Sequence, residues 1–252
     1  MTAVLPIAVA LVALLYASVG HAGATGYIAV MALLGLEPRV IRPTALVLNV
    51  IVATIGTVQF FRAGHFRAGL FLPLAIASIP CAVIGGAINL PTGLFEVVLG
   101  IVLLVSAARI VGAARMPDRS GVGASEDVRG MPPAALPAVG AAIGLLSGLT
   151  GVGGGIFLTP LLLACNAAPV KTIAGVTAPF ILVNSLAGLL GGLLSGRSPP
   201  PISGGVIAAA VLGGMIGSTM GAFRLPVAAL RLLMAAVLAI ASVKLLGEAA
   251  WN

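Results

Sequence analysis

The run Ser147-Gly-Leu-Thr-Gly-Val-Gly-Gly-Gly-Ile-Phe-Leu-Thr-Pro160 places Gly148, Gly151, Gly153, Gly154 and Gly155 close together in an otherwise apolar stretch. Without Cβ atoms in the way, backbone N–H groups approach a ligand closely. A helix that starts after such a break aims its first amides at the break, and these carry partial positive charge that binds oxyanions without a full cation. Thr150 adds a hydroxyl donor. The first half of the chain has a counterpart, Ser18-Val-Gly-His-Ala-Gly-Ala-Thr-Gly-Tyr27, which brings His21, Thr25 and Tyr27 to Gly20, Gly23 and Gly26. An ionisable side chain inside a membrane is a functional candidate, and histidine titrates near neutral pH, so His21 suits anion contact or proton coupling. Packing explains the same residues differently: glycine lets helix backbones touch, and a neutral histidine bridges helices.

Polar residues downstream of each glycine run are placed to complete a site. Thr44 and Asn49 follow the first run; Thr177, Asn184 and Ser185 follow the second. A buried amide or hydroxyl is costly unless paired, so helix–helix bonding accounts for them as well as ligand contact does. Gln59 lies nearer a helix end and faces the interface. Pro160 and Pro179 are expected to kink their helices.

The elements that carry these residues must lie in a membrane. Of 252 residues, 60% are hydrophobic and 8% charged, against roughly 25% charged in soluble domains. The net charge of +7 does not indicate nucleic acid, because Lys and Arg stand singly at the ends of apolar runs, with no basic stripe and no interleaved aromatics. Cys81 and Cys165 lie in apolar runs as small hydrophobes. The N-terminal stretch lacks a basic leader and is expected to be retained as a membrane segment.

Uncharged runs at 43–61, 68–90, 172–196 and 201–223 each fit one spanning helix of about 20 residues. Shorter cores give spans near 94–112 and 227–247. Residues 1–36 and 130–170 are too long for one helix and are broken mid-way by glycine, which predicts two helical hairpins. Gly20, Gly23, Ile28 and Leu33 match Gly148, Gly151, Ile156 and Leu161 at a constant offset (148 − 20 = 128), and Gly86 and Pro91 match Gly221 and Pro226 at another (221 − 86 = 135). The expected fold is therefore an all-α integral membrane protein of two inverted repeats, each a glycine-broken hairpin plus three transmembrane helices. Residues 1–112 form the first repeat, 113–133 a linker loop and 134–252 the second repeat. The distribution of Lys and Arg puts the linker in the cytoplasm and both termini outside.

The glycine run and the Pro-Leu that follows it resemble the signature of the TauE/SafE family of sulfite and organosulfonate exporters, and the resemblance covers nearly the whole chain. It implies two homologous halves and transport of sulfite, sulfoacetate or a related anion across the inner membrane. The first half departs from the pattern: Gly-His-Ala-Gly-Ala-Thr-Gly-Tyr replaces a glycine triplet, and Ala32 stands where the second half has Pro160. The expected substrate site comprises Gly20, His21, Gly23, Thr25, Gly26, Tyr27, Asn49, Thr150, Gly151, Gly153, Gly154, Gly155, Thr177 and Asn184, with the two breaks facing each other.

The expected partners are a small anionic substrate, a coupled proton or sodium ion and the lipid bilayer; a homodimer is compatible with the architecture. No cofactor or metal is called for, and no nucleotide-binding Gly-x-x-x-x-Gly-Lys-Ser/Thr occurs. Another small anion, such as a carboxylate, is the nearest alternative substrate. An intramembrane enzyme or haem subunit is disfavoured, since His21 and His65 are the only histidines and the six acidic residues lie outside the spans or at their ends.

Overall fold

The computed structural model describes residues 4–89, 132 and 134–223 except Asn166, with scattered positions in 91–108 and 239–247. The expected spans near 94–112 and 227–247 and the linker 113–133 fall largely outside these residues. Among the described residues all regular structure is helical. Eight helices are α1 (Val4–Ala17), α2 (Ala24–Leu33), α3 (Pro38–Arg62), α4 (Ala68–Ala87), α5 (Ala135–Thr150), α6 (Gly155–Ala164), α7 (Val170–Leu194) and α8 (Gly204–Phe223). The order repeats: 14, 10, 25 and 20 residues in the first half are followed by 16, 10, 25 and 20 in the second.

Among the described residues four helices are long and apolar enough to cross a membrane: α3, α4, α7 and α8. The other two pairs are the hairpins expected at 1–36 and 130–170, although both breaks are shorter than predicted. Gly148 lies inside α5 and Gly26 inside α2. Both are packing glycines: a Cβ on Gly148 would strike the carbonyl of Ala82, and one on Gly26 would meet Val12 and Tyr16. The span expected at 43–61 starts earlier, at Pro38, because proline is tolerated in the first helical turn, where its missing N–H has no partner to lose. Arg39 and Arg42 therefore belong to the helix and not to a loop. The span expected from 201 starts at 204, after Pro199-Pro200-Pro201, which have no helical backbone.

Close backbone contacts give the running direction of each pair. Gly140, Gly144 and Gly148 of α5 lie on the carbonyls of Leu74, Ser78 and Ala82 of α4, so these helices run the same way. Gly213, Gly217 and Gly221 of α8 lie likewise on Ala10 and Leu14 of α1 and on Ser18 just past its end. The small-residue rows allow the close approach that takes the place of a hydrophobic driving force in lipid. Helices α3 and α7 run in opposite directions: Gly56 meets Ala178, Asn49 meets Ser185 and Gly188 meets Leu46, each pair summing to 234. Helix α7 is central, with 72% of its apolar window buried, against 33% for α4. Ile76 of α4 and Leu212 of α8, 70% and 61% exposed, face outward as lipid-facing side chains do.

Candidate functional site

The two breaks, residues 18–23 and 151–154, are built alike. Gly20 and Gly23 have φ of 76° and 104°; Gly151 and Gly154 have 77° and 81°. These pairs are related by 131 (151 − 20 and 154 − 23), so the offset of 128 read from the sequence was three residues short at the breaks. Left-handed backbone of this kind is strained for any residue with a Cβ. At these positions the chain turns out of one helix and into the next.

The turn leaves a row of amides with no backbone acceptor among the described residues. Around the first break His21 N–H donates to Tyr16 and Tyr27 N–H to Gly23, while the amides of residues 22–26 donate to no backbone carbonyl among the described residues. Around the second, Gly151 N–H donates to Ser147 and Phe157 N–H to Gly154, and the amides of 152–156 are left in the same way. All ten residues are buried. Free amides are normal at a helix start exposed to water, but a buried start without acceptors calls for a ligand or ordered solvent.

The breaks do not face each other along their whole length. Gly20 packs on Ala174, and Gly151 on the side chain of Arg42. Through the α3–α7 pairing, Ala174 stands level with residue 60 (234 − 174), 18 residues along α3 from Arg42. That is about 27 Å at the rise of an α-helix. The outer ends of the breaks therefore sit near opposite ends of the bundle. Their inner ends converge, since Tyr27 and Ile28 of α2 share one apolar cluster with Leu48, Val152, Ile156 and Ile181.

The remaining predicted residues distribute around this centre. Asn49 donates through Nδ2 to the Val152 carbonyl and to Ser185 Oγ, both at 3.3 Å. Its Oδ1 is buried with no hydrogen-bond partner among the described residues. Gly153 lies against the Asn49 amide, and Gly155 against Ile181 and Thr177. The Thr177 and Thr159 hydroxyls are 3.0 Å apart. Thr25 donates to the Tyr16 hydroxyl at 3.1 Å, and the Tyr27 hydroxyl is buried with no hydrogen-bond partner among the described residues.

Three residues depart from their expected positions. The Thr150 hydroxyl donates to Leu146 within its own helix, at 2.7 Å, so it is not an available donor. His21 is half-buried, with Nδ1 3.2 Å from the Val19 carbonyl, at the outer part of its break. Asn184 points away from the centre, donating to Ser78 Oγ at 3.0 Å and to the Phe180 carbonyl at 2.8 Å. Its Oδ1 and the Ser147 hydroxyl are both buried with no hydrogen-bond partner among the described residues.

One matching family is described as sulfite exporter TauE/SafE, and the match runs over residues 5–245. The chain belongs to the TauE/SafE family. It is also 39% identical over 242 residues to the probable membrane transporter protein y4hK of Sinorhizobium fredii (strain NBRC 101917 / NGR234), covering 96% of this chain and 97% of that protein. No solved structure matches. The chain is thus a multi-pass membrane transporter of the TauE/SafE type, and the ten buried amides belong to a transporter.

The residue that sequence reasoning missed in this TauE/SafE protein is Arg42, one of the basic residues at the ends of the apolar runs. It is 6% exposed and is the one charged side chain among the buried residues described. Its Nη1 donates to the Ile88 carbonyl at 3.1 Å, and its Nη2 to Gly85 at 2.7 Å, Gly86 at 3.0 Å and Gly148. Arg197, just past α7, donates to the same Gly86 carbonyl, and Ser195 donates to Ala87. At the other end Lys171 reaches the Ala222 carbonyl of α8 at 3.3 Å. Cations thus cap the C-terminal ends of α4 and α8, where the helix dipole is negative. A sequence signal for Arg42 was Pro38, a proline suited to the first turn of a helix that then includes residue 42.

Proposed function

We propose that this protein is a secondary transporter that moves a small sulfur-containing oxyanion, sulfite, sulfoacetate or a related organosulfonate, across the inner membrane. The observation that carries the reading is the pair of buried amide rows, 22–26 and 152–156, at the starts of α2 and α6. Amides with no carbonyl to receive them are suited to oxyanion oxygens, and helix starts add favourable field. Arg42 supports the same sign of ligand: a buried guanidinium behind Gly151 whose partners among the described residues are neutral carbonyls. A short carboxylate is the second reading, because a guanidinium and a row of amides accept either group.

Alternating access would follow from an inverted arrangement of the halves. The helix directions support it: α1, α3 and α8 run one way and α4, α5 and α7 the other, so each long helix opposes its counterpart. Transport is then driven by the substrate gradient or by a coupled proton or sodium ion, without catalytic chemistry, and the linker 113–133 is cytoplasmic. The orphan Oδ1 of Asn49 is an acceptor suited to such a cation.

The test is sulfite and sulfonate flux in proteoliposomes. Wild-type protein should carry at least one of these anions, and Gly154→Leu, which fills the second break, should lose flux while still inserting. Flux of none of them, or full flux in Gly154→Leu, would reject the reading.

A further inference from the structure

Close backbone contacts sort the described helices into two groups that are not the two halves of the chain. In one group α4, α5 and α7 are locked together. A Cβ on Gly144 of α5 would strike the Ser78 carbonyl of α4, one on Gly86 of α4 the Gly188 carbonyl of α7, and one on Gly191 of α7 the Val83 carbonyl of α4. In the other group α8 is locked on α1, where a Cβ on Gly217 would strike the Leu14 carbonyl. Gly214 of α8 also lies on Val52 of α3, with its Cβ position 3.1 Å from Val52 Cγ1. Helix α2 packs on α1 and α3, and α6 packs on α7. Backbones held this closely have no room to slide past one another. The groups are thus α1, α2, α3 and α8 against α4, α5, α6 and α7, and each has taken the last described helix of the opposite half.

The seam between the groups is α3 against α7, and there the contacts are looser. A Cβ on Gly56 would stand 3.6 Å from Ala178 Cβ, and one on Gly188 3.4 Å from Leu46 Cδ1, both ordinary contact distances. Both breaks lie on this seam, Gly20 on Ala174 and Gly151 on Arg42. Each end of the seam also carries a cation that starts on one group and bonds the other. At one end Arg42 of α3, 6% exposed, holds carbonyls of Gly85, Gly86 and Ile88 at the end of α4 and of Gly148 in α5. At the other end Lys171 of α7, an exposed side chain, donates to Ala222 of α8 at 3.3 Å. Gly86 and Ala222 are the next-to-last residues of α4 and α8, so the two links are equivalent in position and unequal in strength. An enclosed guanidinium that lets go strands buried carbonyls, whereas an exposed ammonium exchanges its carbonyl for water at little cost. Beside Lys171 the seam is closed by a small apolar cluster, Phe60, Ala174 and Ala222.

We propose that these two groups move as bodies in the transport cycle, parting along the α3–α7 seam at the Lys171 end while Arg42 holds the other end, so that Lys171 is the latch of a gate. Parting there separates Ala174 from Gly20 and uncovers a path from that end of the bundle to the first break. The inference goes beyond the choice of anion and does not depend on it.

The test uses the full-length protein in proteoliposomes, with Cys81 and Cys165 changed to alanine. Ala222→Cys should react with a water-soluble maleimide several times faster than Ala45→Cys, which sits in α3 close to Arg42 and is equally buried in the closed form. Lys171→Gln should speed labelling of Ala222→Cys about threefold, the shift expected from one lost hydrogen bond, and leave Ala45→Cys unchanged. Loss of the cation alone would slow a thiolate reaction, so acceleration reports opening. Equal protection at the two positions, or no response to Lys171→Gln, would overturn the gate. Two cross-links then separate bodies from halves, with sulfite flux as the readout. Gly56→Cys with Ala178→Cys closes a disulfide over the seam, since 3.6 Å falls in the Cβ–Cβ range of roughly 3.5–4.5 Å; oxidation should abolish flux and dithiothreitol restore it. Gln59→Cys with Thr219→Cys, joined by a short bis-maleimide, links α3 to α8 inside one body, where the native side chains are 3.4 Å apart, and should leave flux as in the unlinked variant. Flux through the oxidised first pair, or loss of flux in the second, would refute the two bodies. If the protein carries no sulfite but labelling runs as expected, the gate stands and the anion reading falls.

Discussion

Gly151 lies directly on the side chain of Arg42: a Cβ built on this glycine would stand 2.8 Å from Arg42 Cγ and 3.1 Å from the Arg42 carbonyl oxygen. The same contact recurs at the other end, where Gly20 lies on Ala174. One break therefore rests on a cation and the other on a methyl group. This is one chemical difference between the two breaks.

Gly151→Ala meets two obstacles. Its φ of 77° costs a residue with a Cβ about 1–2 kcal/mol, and overlap with Arg42 adds about 1–3 kcal/mol. The expected result is a lower melting temperature and reduced flux. Gly64, also at positive φ but with nothing within 4 Å of its Cβ position, should show only the conformational part when changed to alanine. Equal losses at the two positions would mean that the Arg42 contact contributes nothing.

Arg42→Lys should not rescue Arg42→Gln. The guanidinium reaches four carbonyls on two helices, and a single ammonium on a flexible stem does not reproduce that fork. Both variants should lose most flux and melt lower than wild type. Wild-type behaviour of Arg42→Lys would show that charge alone is required.

Asn49 and Ser185 should be coupled. Their 3.3 Å hydrogen bond joins α3 to α7, so Asn49→Ala and Ser185→Ala should be less than additive by about 0.5–1.5 kcal/mol in a double-mutant cycle. Additive losses would place their roles elsewhere.

His65 sits in the loop between α3 and α4, outside the spans, with its ring 6.5 Å from that of Phe60. Burial first, and then Lys171, holds its pKa below the ordinary histidine value. The folded chain therefore binds this proton more weakly than the unfolded chain. The contribution of neutral His65 is complete above about pH 6.5 and is lost as the pH falls below it. Melting temperatures of wild type and His65→Gln, compared between pH 7.5 and 5, should diverge, with wild type losing more on acidification. Parallel curves would remove His65 as the cause.

Much of this molecule was legible in its sequence. Charge-free runs gave the four long helices to within a few residues, and glycine density located both hairpin breaks, because glycine at positive φ and apolar runs are local properties. What could not be read is non-local. Gly148 and Gly26 looked like break residues until the neighbouring helices showed that each makes room for a backbone or side chain. The breaks looked opposed, but the antiparallel pairing of α3 and α7 separates their outer ends. Arg42 looked like a surface charge because nothing nearby in the chain shows that α4 and α5 end together above it.

The glycine rows of α5 and α8 have one more consequence. All six recessed positions, Gly140, Gly144, Gly148, Gly213, Gly217 and Gly221, lie in the second half, and all the backbone ridges they receive, on α1 and α4, lie in the first. These rows are answered from the other side, since Gly85 and Gly86 of α4 are recessed for the carbonyls of Leu145 in α5 and Gly188 in α7, so the fit is reciprocal. Each half thus holds recesses shaped for the backbone of the other. If the gene arose by duplication, its halves have since become mutually dependent, and a split version should work only when both parts are expressed together.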